Sequence, residues 1–206
     1  MKLVTIDQNV MGQNIYLYFN ETTREGVLID AGDSEAEIAR ILEKNGVKLK
    51  AILLTHGHYD HIASANEIRE LTGAKIYCHP QEQQFLTSPE MNLSIRFRKI
   101  LNVPPDGLLD ESDIFEVGSA KLNVIHTPGH TPGGLCFYDE ENKNLFTGDT
   151  LFHTSIGRSD LPLGNLDVLV KGIKEKLLSL PDDVQVFPGH GESSTIAFEK
   201  KNNPYV

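Results

Sequence analysis

Three imidazoles and a carboxylate fall within six consecutive positions, in Thr55-His56-Gly57-His58-Tyr59-Asp60-His61, directly after the apolar run Ala51-Ile52-Leu53-Leu54. His56 and His58 are two residues apart, so in extended backbone they project to the same side. Two imidazoles on one side suit a borderline-soft divalent ion such as zinc. Asp60 and His61 follow where the chain turns into a helix, so they point elsewhere and can serve a second ion. A solvated polar loop is the alternative reading, and the strand-then-helix context speaks against it. A pair of ions needs further ligands downstream. His130 sits in Thr127-Pro128-Gly129-His130-Thr131-Pro132-Gly133, Asp149 in Phe146-Thr147-Gly148-Asp149-Thr150, and His190 in Val186-Phe187-Pro188-Gly189-His190-Gly191. Each is flanked by glycine, which permits tight turns and close backbone approach.

The order His-x-His-x-Asp-His, Pro-Gly-His-Thr, Gly-Asp-Thr, Pro-Gly-His resembles the metallo-β-lactamase superfamily along nearly the whole chain. The resemblance implies an α/β fold, a four-layer αββα sandwich with two metals at the common edge of its sheets. It implies that His56, His58 and His130 hold one metal, that Asp60, His61 and His190 hold the other, and that Asp149 bridges them. Gly148-Asp149-Thr150-Leu151-Phe152 with Ile156-Gly157-Arg158-Ser159-Asp160-Leu161-Pro162 is similar to small glyoxalase II-like (hydroxyacylglutathione hydrolase-like) enzymes. Longer members carry a C-terminal helical domain that helps to bind glutathione. This chain ends 16 residues after His190 (206 − 190), so that domain is expected to be absent. Arg158 and Asp160 stand where those enzymes have an aromatic and lysine pattern.

The chemistry so implied is hydrolysis of a small-molecule thioester. Two adjacent cations acidify a shared water, and the resulting hydroxide attacks the carbonyl. Asp60 orients that water, which makes it the catalytic candidate as well as a ligand. A thiolate leaves without a strong general acid, and the chain has no Gly-x-Ser-x-Gly elbow for a serine mechanism. Five imidazoles and two carboxylates accept zinc, with iron or manganese as alternatives. Arg158 is a candidate for a substrate carboxylate, with a structural ion pair as its alternative. Asp30 ends a strand at the expected metal edge and is a candidate to orient a ligand imidazole. His79 is assigned to packing, and His126 and His153 to packing or surface ahead of any outer role at the metals. Persulfide dioxygenases share part of the pattern but use His, His and Asp at a single iron. Flavin-coupled di-iron proteins carry Glu at the position of His58. Lactone and β-lactam hydrolysis, or metal binding without catalysis, are the remaining alternatives. The complete second ligand set favours hydrolysis.

The elements that must position these residues follow from apolar patterning. Strands are expected at 15–19, 26–30, 51–55, 75–78, 113–117, 120–126, 134–139, 144–147 and 184–187. Helices are expected at 34–45, 62–71, 165–178 and 193–201, the first closed by Gly46. Residues 80–101 read as helical in pieces and 103–112 as a loop broken by Pro104-Pro105 and Asp106-Gly107. Together 80–112 form an insertion across one face and a candidate wall of the substrate cleft. Two strand-rich halves, each flanked by helices, suggest two sheets face to face.

At 206 residues the chain suits a single domain, 1–206. A net charge of −10, reduced to about −6 by two divalent cations, argues against a nucleic-acid partner. The one basic cluster, Arg96-Phe97-Arg98-Lys99, reads as a solvated helix face. Cys78 and Cys136 read as small buried residues rather than a disulfide. No apolar run spans a membrane and the N-terminus lacks secretory features, so a cytoplasmic protein is expected.

Overall fold

The run Ile15-Tyr16-Leu17-Tyr18-Phe19 has no exposed side. Alternation along a strand sends Ile15, Leu17 and Phe19 to one apolar cluster and Tyr16 and Tyr18 to another. A strand buried on both faces must lie inside a layered structure, and the computed structural model, which describes residues 1–7 and 11–206, shows those layers.

Among the described residues there are two six-stranded sheets. The first contains β1 (Lys2–Ile6), β2 (Ile15–Phe19), β3 (Glu25–Ile29), β4 (Lys48–Leu53), β5 (Lys75–Cys78) and β6 (Gly107–Leu108), in that order. Its first three strands pair antiparallel and the rest parallel. The second is built from β7 (Ile114–Val117), β8 (Ala120–His126), β9 (Leu135–Asp139) and β10 (Asn144–Gly148). A hairpin of β11 (Leu151–Phe152) and β12 (Ser155–Ile156) follows, and β13 (Gln185–Pro188) and β14 (Ser194–Thr195) complete the second sheet in the order β14-β13-β10-β9-β8-β7. Within it only β10 and β13 run parallel.

Tyr18, Val27 and Leu53 of the first sheet meet Leu122, Phe137 and Phe146 of the second in one shared apolar layer. Helices α1 (Glu35–Asn45) and α3 (Ala65–Thr72) cover the first sheet's outer face through Ile38, Leu42 and Ile68. Helix α5 (Leu166–Gly172), with the wider turn Ile173–Leu177 after it, and α6 (Ile196–Asn202) cover the second through Leu169, Ile173 and Ile196. The αββα sandwich follows from these three apolar layers. Cys78 packs in one outer layer and Cys136 in the other, both buried and free.

Several expectations shift. Strand β1 has no strong apolar signature and was not expected; it forms an edge against β2. The helix expected at 62–71 divides into α2 (Tyr59–Ile62) and α3, so Asp60 and His61 lie in a first helical turn. The expected 165–178 helix widens after Gly172, where Leu178 N–H reaches back five residues to Ile173 O at 2.9 Å. The expected loop at 103–112 contributes β6 to the sheet edge. The 80–101 segment is indeed helical in pieces, with α4 (Gln83–Thr87) between the tight turns Pro80–Glu82 and Ser94–Phe97. The basic cluster therefore occupies a short turn and its exit, not a helix face. No helix among the described residues is long and apolar enough to cross a membrane.

Candidate metal centre

β4, β8, β10 and β13 all end at one edge of the sandwich, and the loops leaving them carry the seven residues singled out in the sequence. Their donor atoms form linked trios: His56, His58 and His130; His56, His61 and Asp149; and Asp60, His61 and His190, each within 4.8 Å. Asp149 lies between the outer two. Its Oδ2 is 3.5 Å from His130 Nε2, and its Oδ1 is 3.3 Å from His61 Nε2 and 3.7 Å from His190 Nε2. His190 Nε2 is 3.1 Å from Asp60 Oδ2.

The far side of each ring decides which nitrogen faces inward. His61 Nδ1 donates to Asp30 Oδ2 (2.7 Å), His130 Nδ1 to the Arg158 carbonyl (2.7 Å) and His190 Nδ1 to the Gly12 carbonyl (3.2 Å). Thr55 Oγ1 donates to Asp30 Oδ2 (2.8 Å), which leaves the hydroxyl free to accept from His56 Nδ1 at 3.1 Å. One carboxylate, Asp30, thus holds His61 directly and His56 through a threonine, while also accepting Thr55 N–H at 2.8 Å. With their Nδ1 atoms committed, His56 and His130 turn Nε2 toward each other at 3.3 Å, and His58 Nδ1 comes within 2.9 Å of the same His130 nitrogen. Three ring nitrogens converging this closely suit a cation lying between them. A tetrahedral site with bonds of about 2.0–2.1 Å has donor–donor edges of about 3.3–3.4 Å. His56–His130 at 3.3 Å, His130–Asp149 at 3.5 Å and His190–Asp60 at 3.1 Å match that edge. His58 thus turns Nδ1 inward, and His61 Nε2 and Asp149 Oδ1 are buried without hydrogen-bond partners. Spacing and orphaned donors both fit a pair of divalent cations.

Protonation supports the same fit. Burial, then the rings of His61, His130 and His58, hold His56 well below its ordinary value, and burial with His130 takes His58 down to about 3. Burial opposes the charge on Asp149, but His61, His130 and His56 outweigh it and keep its carboxyl well below the usual range. Burial likewise opposes Asp60, and His61 and His190 prevail. Neutral His56 and His58 and ionised carboxylates are the forms that ligate. His61 and His190 are the exceptions: burial disfavours charge on both, but Asp149, Asp30 and Asp60 raise His61 well above the ordinary value, and the hydrogen bond to Asp60 with the charge of Asp149 raises His190, so a metal there must displace protons.

Glycine is required where the ligand loops crowd. A side-chain carbon on Gly189 would strike Asp149 Oδ1 and lie 2.8 Å from His61 Cε1; one on Gly57 would lie 2.6 Å from Phe85 Cβ. Two positioning groups lacked a sequence signal. Buried Glu82 accepts Gly57 N–H through Oε2 and Gly133 N–H through Oε1, both at 2.8 Å, and so ties the His56–His58 loop to the His130 loop. Asn14 binds the His190 loop, donating through Nδ2 to the carbonyls of Pro188 (3.0 Å) and Gly191 (2.9 Å).

The remaining histidines stand apart. His126 Nε2 donates to Pro132 O at 2.9 Å; His79 Nδ1 accepts Gln81 N–H, so its Nε2 proton points at Asp110. The two rings stack at 4.0 Å. Both Nε2 atoms carry protons in this arrangement, which suits packing rather than ligation. His153 lies against Phe198 at 4.9 Å. The centre opens into a cleft of about 440 Å³ walled by Phe97, Phe152, Ile156 and Leu161, with Arg96 and Arg158 at its rim. Arg158 spends two N–H groups on Asp160 at 2.7 and 2.8 Å.

The chain is similar to known proteins. The profile of the metallo-beta-lactamase superfamily matches residues 9–190. The hydroxyacylglutathione hydrolase GloC of Haemophilus influenzae is 34% identical over 209 residues, covering 100% of this chain and 98% of that protein. The crystal structure of BLEG-1 B3 metallo-beta-lactamase superposes with a TM-score of 0.94 at 34% identity, over 99% of both chains. TTHA1623, crystallised in a di-iron-bound form, superposes with a TM-score of 0.84 at 33% identity, over 100% of both.

Proposed function

The chain belongs to the metallo-β-lactamase superfamily, and on that footing we propose that this metal-dependent hydrolase cleaves small thioesters of the hydroxyacylglutathione type. The observation that carries the reading is Asp149, set with one carboxylate oxygen toward each of two donor trios. His56, His58 and His130 would hold one cation, Asp60, His61 and His190 the other, and Asp149 both. Bound there, divalent zinc, iron or manganese would supply Lewis acidity toward a carbonyl oxygen and toward water.

The chain's own residues do the rest. Asp60 lines the cleft, keeps its carboxylate ionised, and orients water against the bound carbonyl. Asp30, the Arg158 carbonyl and the Gly12 carbonyl lock the rings, so the site needs little rearrangement during reaction. Phe97, Phe152 and Leu161 give the substrate an apolar wall. Among the described residues, His58, Asp60, His130, Asp149 and His190 of the cleft would all be taken up as metal ligands, which suits a thiolate leaving group that needs no strong acid. Similarity to a hydroxyacylglutathione hydrolase along both whole chains directs the choice of thioester.

The test combines metal analysis with parallel assays of S-lactoylglutathione, a lactone, a β-lactam and glutathione persulfide while dissolved oxygen is followed. Two metals per chain and thioester cleavage without oxygen uptake are expected. Preferred turnover of the lactam, or oxygen uptake with persulfide, overturns the proposal.

A further inference from the structure

The basic cluster Arg96-Phe97-Arg98-Lys99 has no part in the centre described above, yet its first two residues line the same cleft. The turn bearing them is built rather than loose. Tyr59 N–H donates to Asn92 O at 2.7 Å, buried Asn92 accepts Ser94 N–H at 2.9 Å and donates to Leu101 O at 3.0 Å, and Ser94 Oγ accepts Leu101 N–H at 3.2 Å. Leu93 and Arg98 bracket the turn at φ of 67° and 57°. Phe97 stacks on Tyr59 with centroids 4.7 Å apart and planes 17° from parallel. Tyr59 directly follows His58, so the stack fixes the turn against the centre. Among the described residues Arg96, Arg98 and Lys99 form no ion pair, although the protein has a net charge of −10. The cleft's other guanidinium, Arg158, is already paired with Asp160. An unpaired guanidinium beside an aromatic platform is a ready carboxylate site.

We propose that Arg96 is a specificity residue: its guanidinium takes a carboxylate carried on the substrate chain beyond the scissile thioester, while Phe97 packs against that chain. The ligand class is an acid-bearing thioester, and this assignment rests on the thioester reading above. Arg98 and Lys99 add local positive potential that draws such an anion toward an acidic protein.

The test uses S-acetyl thioesters of ω-mercapto acids, short and long, each as free acid and methyl ester, with the metal-loaded protein. The acid-to-ester ratio of kcat/KM is expected to fall about tenfold in Arg96→Gln, mainly through KM, a loss between that of an exposed ion pair and a buried charged hydrogen bond. Arg96→Lys should recover part of it, and added salt should shrink the wild-type ratio. Calorimetry with the uncleavable S-alkyl thioether of the same acid gives a second reading, with about tenfold weaker binding to Arg96→Gln expected. If no thioester turns over but the thioether acid binds in this Arg96-dependent way, the thioester reading fails and the subsite stands. If thioesters are cleaved and the ratio responds to Arg158→Gln but not Arg96→Gln, the subsite is refuted and the hydrolase reading stands.

Discussion

Replacing Asp30 by Asn tests how far the outer carboxylate governs the metals. Asp30 sits just after β3 at φ of 62°, a conformation that Asn also tolerates, so the backbone is left alone. Its two oxygens accept three protons: Thr55 N–H at 2.8 Å, Thr55 O–H at 2.8 Å and His61 Nδ1–H at 2.7 Å. An Asn offers one carbonyl and one NH₂. With the carbonyl toward His61 and the hydroxyl, the NH₂ confronts Thr55 N–H; reversed, it confronts His61 Nδ1–H. Either way a buried donor loses its acceptor, which costs the fold about 1–3 kcal/mol. Losing the carboxylate behind a ligand imidazole should weaken metal binding by about 10–100-fold, or about 1.4–2.8 kcal/mol. The site containing His61 should suffer most, because His56 reaches Asp30 only through a hydroxyl that can rotate. Competition against a chelator reports both affinities, and thermal unfolding of the metal-free variant reports the fold term separately. Affinities within about twofold of wild type, alongside a lowered Tm, would show that Asp30 merely braces the loop and would refute the reasoning.

Asp149→Asn should lower the metal content per chain and cut kcat/KM by more than about a hundredfold, since outer partners alone are worth up to that much; metal analysis and steady-state rates that match wild type would remove the shared carboxylate from the account. Burial pushes the Glu82 carboxyl up to about 7 from 4.5, against the nearby Thr131 side chain and the hydrogen bonds from Gly133 and Gly57 N–H. Its folded-state value therefore exceeds the unfolded one, so the folded chain holds this proton longer. The stability tied to the protonated form is complete below about pH 4.5 and declines by about 3 kcal/mol as pH rises to about 7. Glu82→Gln should remove that slope, and denaturation of the metal-free proteins at several pH values checks it; parallel slopes would count against it. Phe137, fully buried between the sheets, should cost about 3–5 kcal/mol when cut to Ala, with metal affinity retained; loss of metal binding before loss of fold would show the centre depends directly on the inter-sheet layer.

Sequence alone determined the donor types and their order. His56 and His58 are two apart, and His130, Asp149 and His190 each follow an apolar strand beside glycine, so local spacing pointed to the candidate donors and the layered α/β class, while their division between two metals came from the family resemblance. Strong apolar strands such as β2 and β9 were legible because burial on both faces leaves an unbroken apolar run. Strand β1 was not, because an edge strand is half exposed and is recognised only through its partner β2. The break between α2 and α3 and the widened turn at Ile173–Leu177 also escaped, since local propensity does not report the packing that interrupts a helix. Sequence offered Asp30 as a candidate to brace one imidazole, but only tertiary structure decided which ring it holds and which other groups stand behind the candidate ligands. Asp30 meets His61 across 31 residues, the Arg158 carbonyl meets His130 across 28, and Asn14 holds Pro188 across 174. Glu82 joins two loops, and Arg96 rather than the ion-paired Arg158 presents an unpaired charge to the cleft. The direction in which a donor points, and whether a neighbour has already neutralised a charge, are set where distant segments pack together, and spacing along the chain holds no record of either.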